Sequence, residues 1–370
     1  MKTVKLGEYI RTISPKTKIQ AKKFLSAGRY PVVSQEAGLI NGYWDEIDDV
    51  MHFDKPVIVY GDHTRVVKFI DFDFVSGADG TKILITPDDL DSRYFYHWLL
   101  AHPTKHLGYA RHFRLLKELE IEVPSLEEQR RIVARLDAAF EKISAAEVLM
   151  RRNLDNVAAL QKSILHKYLS ASDSTHTHRL GDYLQKTFNI KWQERINQSF
   201  EYIDLTSVDR LSHTITKTTK INASNAPSRA KKIVNTGDVI FGTTRPTLNR
   251  LSIINDEYDN QICSTGFCVL RGNDEIKPGY IYYLLNTPEF NSFIESRQRG
   301  TSYPAVTDSD VKDYRVHIPP KSVQIETVSK LDNALSKTRK LESQYQKKLE
   351  KLTDLRQSLL SEAFMTTSEV

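Results

Sequence analysis

The sequence is poor in cysteine, has no long apolar run and carries none of the short motifs that announce catalysis. Two cysteines in 370 residues, Cys263 and Cys268, exclude a disulfide scaffold and a four-cysteine zinc site. They make a reducing cytoplasm the expected setting, and five residues apart across a predicted strand they read as packed thiols facing opposite ways. No stretch of 18 apolar residues is present, so no membrane span is expected. Residues 1–6 lack the apolar core of a signal peptide. There is no Gly-x-x-x-x-Gly-Lys-Ser/Thr phosphate loop, no Gly-x-Gly-x-x-Gly after a strand, no Asn/Asp-Pro-Pro-Tyr/Phe, no Gly-x-Ser-x-Gly and no His-Glu-x-x-His. These absences point away from an enzyme acting alone, and no cofactor or metal is expected. With 40% hydrophobic and 27% charged residues the chain is ordinary globular material, long enough for two or three domains.

What the chain does have is a copy of itself. At a constant offset, Val123-Pro124 corresponds to Ile318-Pro319, and Gln129, Val133, Leu136, Asp137, Ala139, Glu147, Leu154, Leu160 and Ser163 recur as Gln324, Val328, Leu331, Asp332, Ala334, Glu342, Leu349, Leu355 and Ser358. Upstream the correspondence continues with gaps. Leu6-Gly7-Glu8 matches Leu180-Gly181-Asp182, Val59-Tyr60-Gly61 matches Ile240-Phe241-Gly242, and Tyr94-Phe95-Tyr96 matches Tyr280-Ile281-Tyr282. Loops of different length on a common framework explain the changing offset.

The shared segments read as long helices. Residues 126–169 and 321–365 contain neither glycine nor proline, and Pro124 and Pro319-Pro320 stand where proline suits a helix start. Apolar residues at 133, 136, 140, 143, 150, 154, 157, 164 and 168, and at 328, 331, 335, 345, 349, 352, 359 and 363, follow heptad spacing. Glu147 and Gln161 break the first stripe, and Thr338, Glu342 and Arg356 break the second. About 45 residues make a helix of roughly 65 Å, too long to bury its stripe on one small domain. The two stripes are therefore expected to pair as an antiparallel intramolecular coiled coil, placing the repeats in a pseudo-twofold relation.

The remaining segments mix short strands with helices. Strands are expected at 56–60, 66–70, 82–85, 238–241 and 266–270, and helices at 91–101 and from 280. The fold class is α+β, with two tandem α/β domains. The boundaries are 1–125 for the first domain, 126–170 for the first helix, 171–178 for a polar linker, 179–319 for the second domain, 320–365 for the second helix and 366–370 for a tail.

Carboxylates at Asp71/Asp73 and Asp88/Asp91 admit a metal-dependent nuclease, although solvated turns and helix starts are the simpler account. Asp62 and His63 could form an acid/base pair, but no nucleophile is near in sequence. His176 and His178 alternate in the linker without further ligands. Two loop pairs carry more. Gly61-Asp62-His63-Thr64-Arg65 and Gly242-Thr243-Thr244-Arg245-Pro246 each put glycine, hydroxyl or imidazole and guanidinium groups at a strand end, and an arginine fork can take guanine O6 and N7 together. Before each long helix lie Gly108-Tyr109-Ala110-Arg111-His112 and Arg299-Gly300-Thr301-Ser302-Tyr303, which join arginine, an aromatic and a glycine turn. The candidate DNA-binding residues are His63, Thr64, Arg65, Lys68, Arg111, Thr243, Thr244, Arg245, Arg299, Thr301, Ser302 and Tyr303. Lys16, Lys18, Lys22 and Lys23, and Arg229, Lys231 and Lys232, could neutralise phosphates.

The whole plan resembles the specificity subunit of a Type I DNA restriction–modification system. The likeness covers nearly the whole chain. It rests on the tandem order and on Val123-Pro124-Ser125-Leu126-Glu127-Glu128-Gln129-Arg130-Arg131-Ile132-Val133, repeated more weakly from Ile318 to Val328. It is supported by Leu6-Gly7-Glu8, Leu180-Gly181-Asp182, Tyr30-Pro31-Val32-Val33 with Asn41-Gly42-Tyr43, and Gly61 to Arg65. The resemblance implies two target-recognition domains that read the halves of a split double-stranded DNA sequence. It implies helices that act as a spacer and dock two methyltransferase subunits, which carry S-adenosylmethionine and methylate adenine N6, with an endonuclease/translocase subunit in the larger complex. Half-sites on one face of DNA lie about 34–36 Å apart per turn. Deleting four residues from both helices in register should then change the unspecified spacer in the methylated sequence, and an unchanged spacer would refute the ruler. The other readings are a nuclease and a coiled-coil assembly protein that binds no DNA.

The formal charge of +5 is unevenly placed. The two helical segments hold eight Lys/Arg against six Asp/Glu and nine against six, which is the entire excess, while residues 1–125 balance at 17 each. Any grip on DNA by the globular domains must come from sidedness, with partner subunits expected to supply much of the rest.

Overall fold

The computed structural model describes residues 2–15, 17–108, 110–169, 177–195 and 198–364. The chain divides into two compact units, Met1–Arg151 with Gln346–Val370, and Arg152–Tyr345. Each unit holds a globular domain, the opening part of one long helix and the closing part of the other.

The long helices run Leu126–Leu169 and Lys321–Phe364, 44 residues each. Met365, expected to end the second, lies outside the described residues, as do residues 171–176 of the expected linker. His178, also placed in that linker, instead begins the strand His178–Arg179, which pairs with Arg315–Val316.

Within each unit the two helices lie antiparallel. In the first, Arg135 reaches Glu362 at 3.5 Å, and Arg356 reaches Glu147 at 3.5 Å and Ser144 Oγ at 3.1 Å. In the second, Gln161 Nε2 donates to Glu342 at 3.4 Å. The polar residues that break each stripe therefore meet one another, Glu147 with Arg356 and Glu342 with Gln161, and the two pairs are repeat equivalents. Thr338, the remaining break, is buried and donates its hydroxyl to the Leu335 carbonyl.

Towards their ends the stripes depart from the heptad register. Leu165, Leu360 and Phe364 are buried, whereas Ile164, Tyr168, Leu359 and Ala363 are only partly so. A straight helix drifts about 20° per heptad from a 3.5-residue repeat, so after several heptads the adjacent position takes the seam. There the contact is with a globular domain: Phe364 packs edge-on against Tyr94, ring centres 5.2 Å apart.

Each globular domain is closed by its first and last strands, Lys2–Lys5 with Glu120–Val123 in the first unit. That unit has an antiparallel sheet in the order Arg11–Ile13, Thr81–Ile85, Val57–Gly61, Val67–Ile70, and a second sheet in which Phe74–Ala78 lies between Ile19–Gln20 and Tyr30–Val33, both parallel to it. The second unit repeats this with Leu251–Ile253, Val239–Gly242 and Phe267–Leu270, and with Thr219–Asn222, Ser199–Ile203, Gln261–Ser264 and Ala230–Val234. The runs that are apolar throughout, such as 57–60 and 239–241, are central strands buried on both faces. Cys263 and Cys268 do not share a strand: they occupy Gln261–Ser264 and Phe267–Leu270, and burial pushes both thiols up. Thr265 and Gly266 between them turn the chain.

Two repeat-equivalent fastenings join each domain to the long helix that follows it. Gln129 is fully buried: its Oε1 accepts from Asp91 N at 2.7 Å, and its Nε2 donates to the carbonyls of Asp89 and Pro124, both at 2.9 Å. Gln324 does the same for Lys277 N at 2.9 Å and the carbonyls of Glu275 and Pro319 at 2.8 Å. Asp91 caps the helix Ser92–Ala101, and Lys277 precedes Pro278–Leu284, so each glutamine binds the start of a domain helix to the start of a long one. Two turns on, Asp137 bonds His97 Nε2 at 2.8 Å, and Asp332 accepts from the Tyr283 hydroxyl. His97 and Tyr283 are repeat equivalents.

Candidate nucleic-acid interface

In the first unit the strand Val57–Gly61 ends in a tight turn, with Gly61 N donating to Val66 O and Arg65 N to Gly61 O, both at 2.8 Å. A Cβ on Gly61 would stand 2.1 Å from Thr64 Oγ1, so only glycine fits there. Arg65 takes a left-handed backbone, φ +61°, and Arg245 does so in the second unit, φ +48°. Such a conformation in a non-glycine residue costs on the order of 1 kcal/mol, and strain of this kind collects at functional sites. An arginine is held this way at the same strand end in both copies.

The two loops singled out in each repeat are hydrogen-bonded neighbours. The Asp62 carbonyl accepts from His112 N and its carboxylate from Phe113 N, both at 2.8 Å. In the second unit Thr243 O accepts from Val306 N at 2.9 Å and Arg245 N donates to Pro304 O at 2.7 Å, while Thr244 and Arg299 both bridge to Ala305. Each strand-end loop thus shares a surface with the loop preceding the last short helix of its domain, Phe113–Lys117 or Asp308–Lys312.

The candidate side chains fall into two groups. On the surface of the second unit, the Arg245 guanidinium lies 4.9 Å from the ring centre of Tyr303, which is 72% exposed, with Thr301 and Ser302 exposed beside it. Thr244 is half-buried. Arg299 is exposed but holds Asp310 with two bonds, at 2.7 and 3.1 Å. Arg299, assisted by Thr307, keeps the Asp310 carboxyl far below the usual carboxylate range. In the first unit Thr64 and Arg111 are exposed, His63 and Arg65 half-buried. The Arg65 fork is turned partly inward, Nη1 donating to the Thr104 carbonyl at 2.9 Å beside a cavity of about 80 Å³.

Two candidates are framework rather than surface. Thr243 is buried and donates its hydroxyl to Gly266 O at 2.9 Å. Lys68, on the strand Val67–Ile70, is 4% exposed; its Nζ donates to Asn41 Oδ1 at 2.8 Å, and burial lowers its pKa to about 8. A phosphate contact would need Lys68 on an open face of its strand, but a hairpin loop covers that face. Gln35, in that loop, was missed: its Oε1 accepts from His63 N at 3.1 Å and its carbonyl from Thr64 Oγ1 at 2.6 Å. Its one signal was its place two residues after the strand Tyr30–Val33.

Of the basic clusters, Lys18, Lys22, Lys23, Arg229 and Lys231 are exposed, while Lys232 binds Asp308 and the Phe267 carbonyl at 2.6 Å. Lys16 and Tyr109 lie outside the described residues. Three of the four carboxylates raised for a nuclease are tied up singly, Asp73 by His52, Asp88 by Lys55, and Asp91 by the backbone it caps, and Asp71 is exposed. Among the described residues no three His, Cys, Asp or Glu are grouped to hold a metal ion, and no helix is long and apolar enough to cross a membrane.

Paired loop surfaces on twin α+β domains, each bolted to a long helix, define a tandem-repeat protein of the α+β class. The model of the Type I restriction modification DNA specificity domain matches residues 1–148 and 177–351, and the chain belongs to that family. It is 29% identical over 121 residues to the Type I restriction enzyme HindI specificity subunit of Haemophilus influenzae, covering 31% of this chain and 26% of that protein. It is 31% identical over 104 residues to the EcoR124I/EcoR124II specificity subunit of Escherichia coli, covering 27% and 26%. The matched segments thus span about a quarter of these relatives. Among solved structures it is similar to an HsdS subunit from Thermoanaerobacter tengcongensis, with 36% identity, a TM-score of 0.42 and coverage of 45% of this chain and 43% of that one. It is also similar to the S subunit of a Type I system from M. genitalium, with 19% identity, a TM-score of 0.43 and coverage of 99% and 96%.

Proposed function

We propose that this chain is the non-catalytic specificity subunit of a Type I restriction–modification complex working in the cytoplasm. Residues 1–125 and 179–319 each read half of a bipartite double-stranded DNA target. The helical segments 126–170 and 320–365 dock two adenine-N6 methyltransferase subunits, and an endonuclease/translocase subunit joins them. The observation that carries this reading is the doubled site: in both units a strained arginine loop is hydrogen-bonded to a second loop rich in arginine and aromatic or hydroxyl groups. Arg111, Arg245, Thr301, Ser302 and Tyr303 face the DNA, Thr64, Thr244, His63 and Arg299 border it, and Arg65 swings out to it. Lys68 and Thr243 hold the surface from behind.

Mapping methylated adenines in DNA co-expressed with this chain and its methyltransferase partner tests the reading. A split motif with a fixed spacer is expected, and an unsplit motif or none refutes it. Arg245 stacked on an exposed tyrosine is a preorganised cation. Arg245→Ala combined with Tyr303→Ala should weaken binding of target DNA by the assembled complex about tenfold to a hundredfold, measured by fluorescence anisotropy at fixed salt. Magnesium-dependent cleavage by the purified chain would favour a nuclease instead.

A further inference from the structure

In both units the strand parallel to the centre of the second sheet is followed by a hairpin loop, residues 34–41 before Gly42–Trp44 and residues 204–218 before Thr219–Asn222. Both loops are rooted at the strand-end glycines. Gln35 occupies the space in front of Gly61 and Gly80, whose Cβ atoms would stand 3.0 and 2.8 Å from its side chain. Leu205 does the same for Gly242 and Gly266, at 3.3 and 3.1 Å. Arg250 adds a clamp, its Nη1 donating to the carbonyls of Leu205 and Val208.

Both loops also expose aliphatic side chains. Leu39 and Ile40 are 51% and 41% exposed, and Leu211 is 84% exposed, the highest value among the large apolar side chains of the described residues. Leu211 is held rigidly. The Asp209 carboxylate accepts from Leu211 N at 3.0 Å, Ser212 N at 2.7 Å and Ser212 Oγ at 2.9 Å. His213 N donates to Asp209 O and Asp209 N to Thr214 O. The His213 ring rests edge-on against Tyr282. Around this apex Arg210, Lys217 and Lys220 are exposed, with the hydroxyls of Ser212, Thr214 and Thr216.

We propose, on the DNA-reading function above, that the loop 204–218 is a further specificity element of the second domain, with Leu211 in apolar contact with a thymine methyl and Arg210 and Lys217 on flanking phosphates. A leucine fixed at the tip of a basic, hydroxyl-rich loop matches what a DNA groove offers, a methyl group at its floor and phosphates at its rims. Holding the apex in place beforehand lowers the ordering cost of contact. The root of the loop packs on Gly242, where the Arg245 loop starts. The shorter loop of the first unit carries no lysine or arginine, and the phosphate contacts belong to the second unit alone.

The test uses the full chain assembled with its methyltransferase subunits. Leu211→Ser should relax or change the methylated motif at one position of one half-site and leave the other half-site unchanged. Arg210→Ala with Lys217→Ala should leave the motif intact and flatten the dependence of log affinity on log salt by about two, close to one per phosphate contact. Leu211 is exposed, so thermal unfolding of Leu211→Ser should match the parent. An unchanged motif together with an unchanged salt slope overturns the proposal. So does loss of methyltransferase assembly with the motif retained, which would make the loop a protein contact. Absence of a bipartite motif for the parent complex would refute the underlying reading instead.

Discussion

Replacing Gln129 or Gln324 with leucine is expected to destabilise its unit by about 4 kcal/mol. Leucine nearly fills the volume of glutamine, so the cavity cost is small and the effect isolates the polar groups. Gln129 satisfies one N–H and two carbonyls at a fully buried site, and Gln324 satisfies the same set in the other unit. Each buried group left without a partner costs about 1–3 kcal/mol, and no water can replace the lost partner unless the helix start lifts from the domain. Gln→Glu should be at least as harmful, because its second oxygen would face two carbonyls and its charge would be buried. Urea unfolding followed by tryptophan fluorescence separates the units, since Trp44 and Trp98 report on the first and Trp192 on the second. A loss under 1 kcal/mol in both variants would show that the glutamines are incidental. On the proposed function each bolt would set the angle between a globular domain and its helix, so a complex built on a variant that still folds should methylate less faithfully at the half-site of its own unit.

That glutamine was visible in the sequence only as an identity. The gap-free repeat matched Gln129 with Gln324, yet nothing in composition says that a polar residue in the first turn of an amphipathic helix is buried. The same limit explains the other departures. Long helices were legible because they contain no glycine or proline over 44 residues, and central strands because they are apolar throughout. The breaks in the two stripes looked like flaws until Glu147 met Arg356 and Glu342 met Gln161, pairs that only antiparallel packing brings together. The loop pairs were found by composition, and the hydrogen bonds of Asp62 and Thr243 to the second loop place them side by side. Which way each side chain points was not legible: Lys68 turns in beneath a hairpin, Arg65 lies partly inward, and Arg245 stands out on Tyr303. Rotamer and burial depend on loops 34–41 and 204–218, whose sequences carry no periodicity.

Lys68 yields a pH dependence whose sign is fixed by its burial. Its ammonium is 4% exposed and has Asn41 Oδ1 as partner, with Glu36 a weaker favourable charge, and desolvation brings its pKa down from 10.5 to about 8. Below pH 8 the lysine is charged in folded and unfolded chains alike, and the fold carries the full desolvation penalty. Between pH 8 and 10.5 the folded form is increasingly neutral while the unfolded form keeps its proton. Unfolding then takes up a proton, so this residue's contribution to stability rises with pH, and above 10.5 the rise ends. A tenfold change in proton affinity is worth about 1.4 kcal/mol, so the penalty at neutral pH is on the order of 3 kcal/mol before the Asn41 bond is counted against it. Lys68→Met keeps the aliphatic stem and removes the charge. It should stabilise the first unit by about 2 kcal/mol at pH 7, and the advantage should shrink towards zero by pH 10. The difference between variant and parent in urea midpoints across that range isolates Lys68 from other titrating groups. A variant that is destabilised at pH 7, or an advantage that does not fall with pH, would mean that the lysine's hydrogen bonds outweigh its burial. Because Lys68 lies beneath the hairpin loop 34–41 rather than facing outward, the same variant should leave the salt dependence of the proposed DNA binding unchanged, whereas a direct phosphate contact would lower that slope by about one.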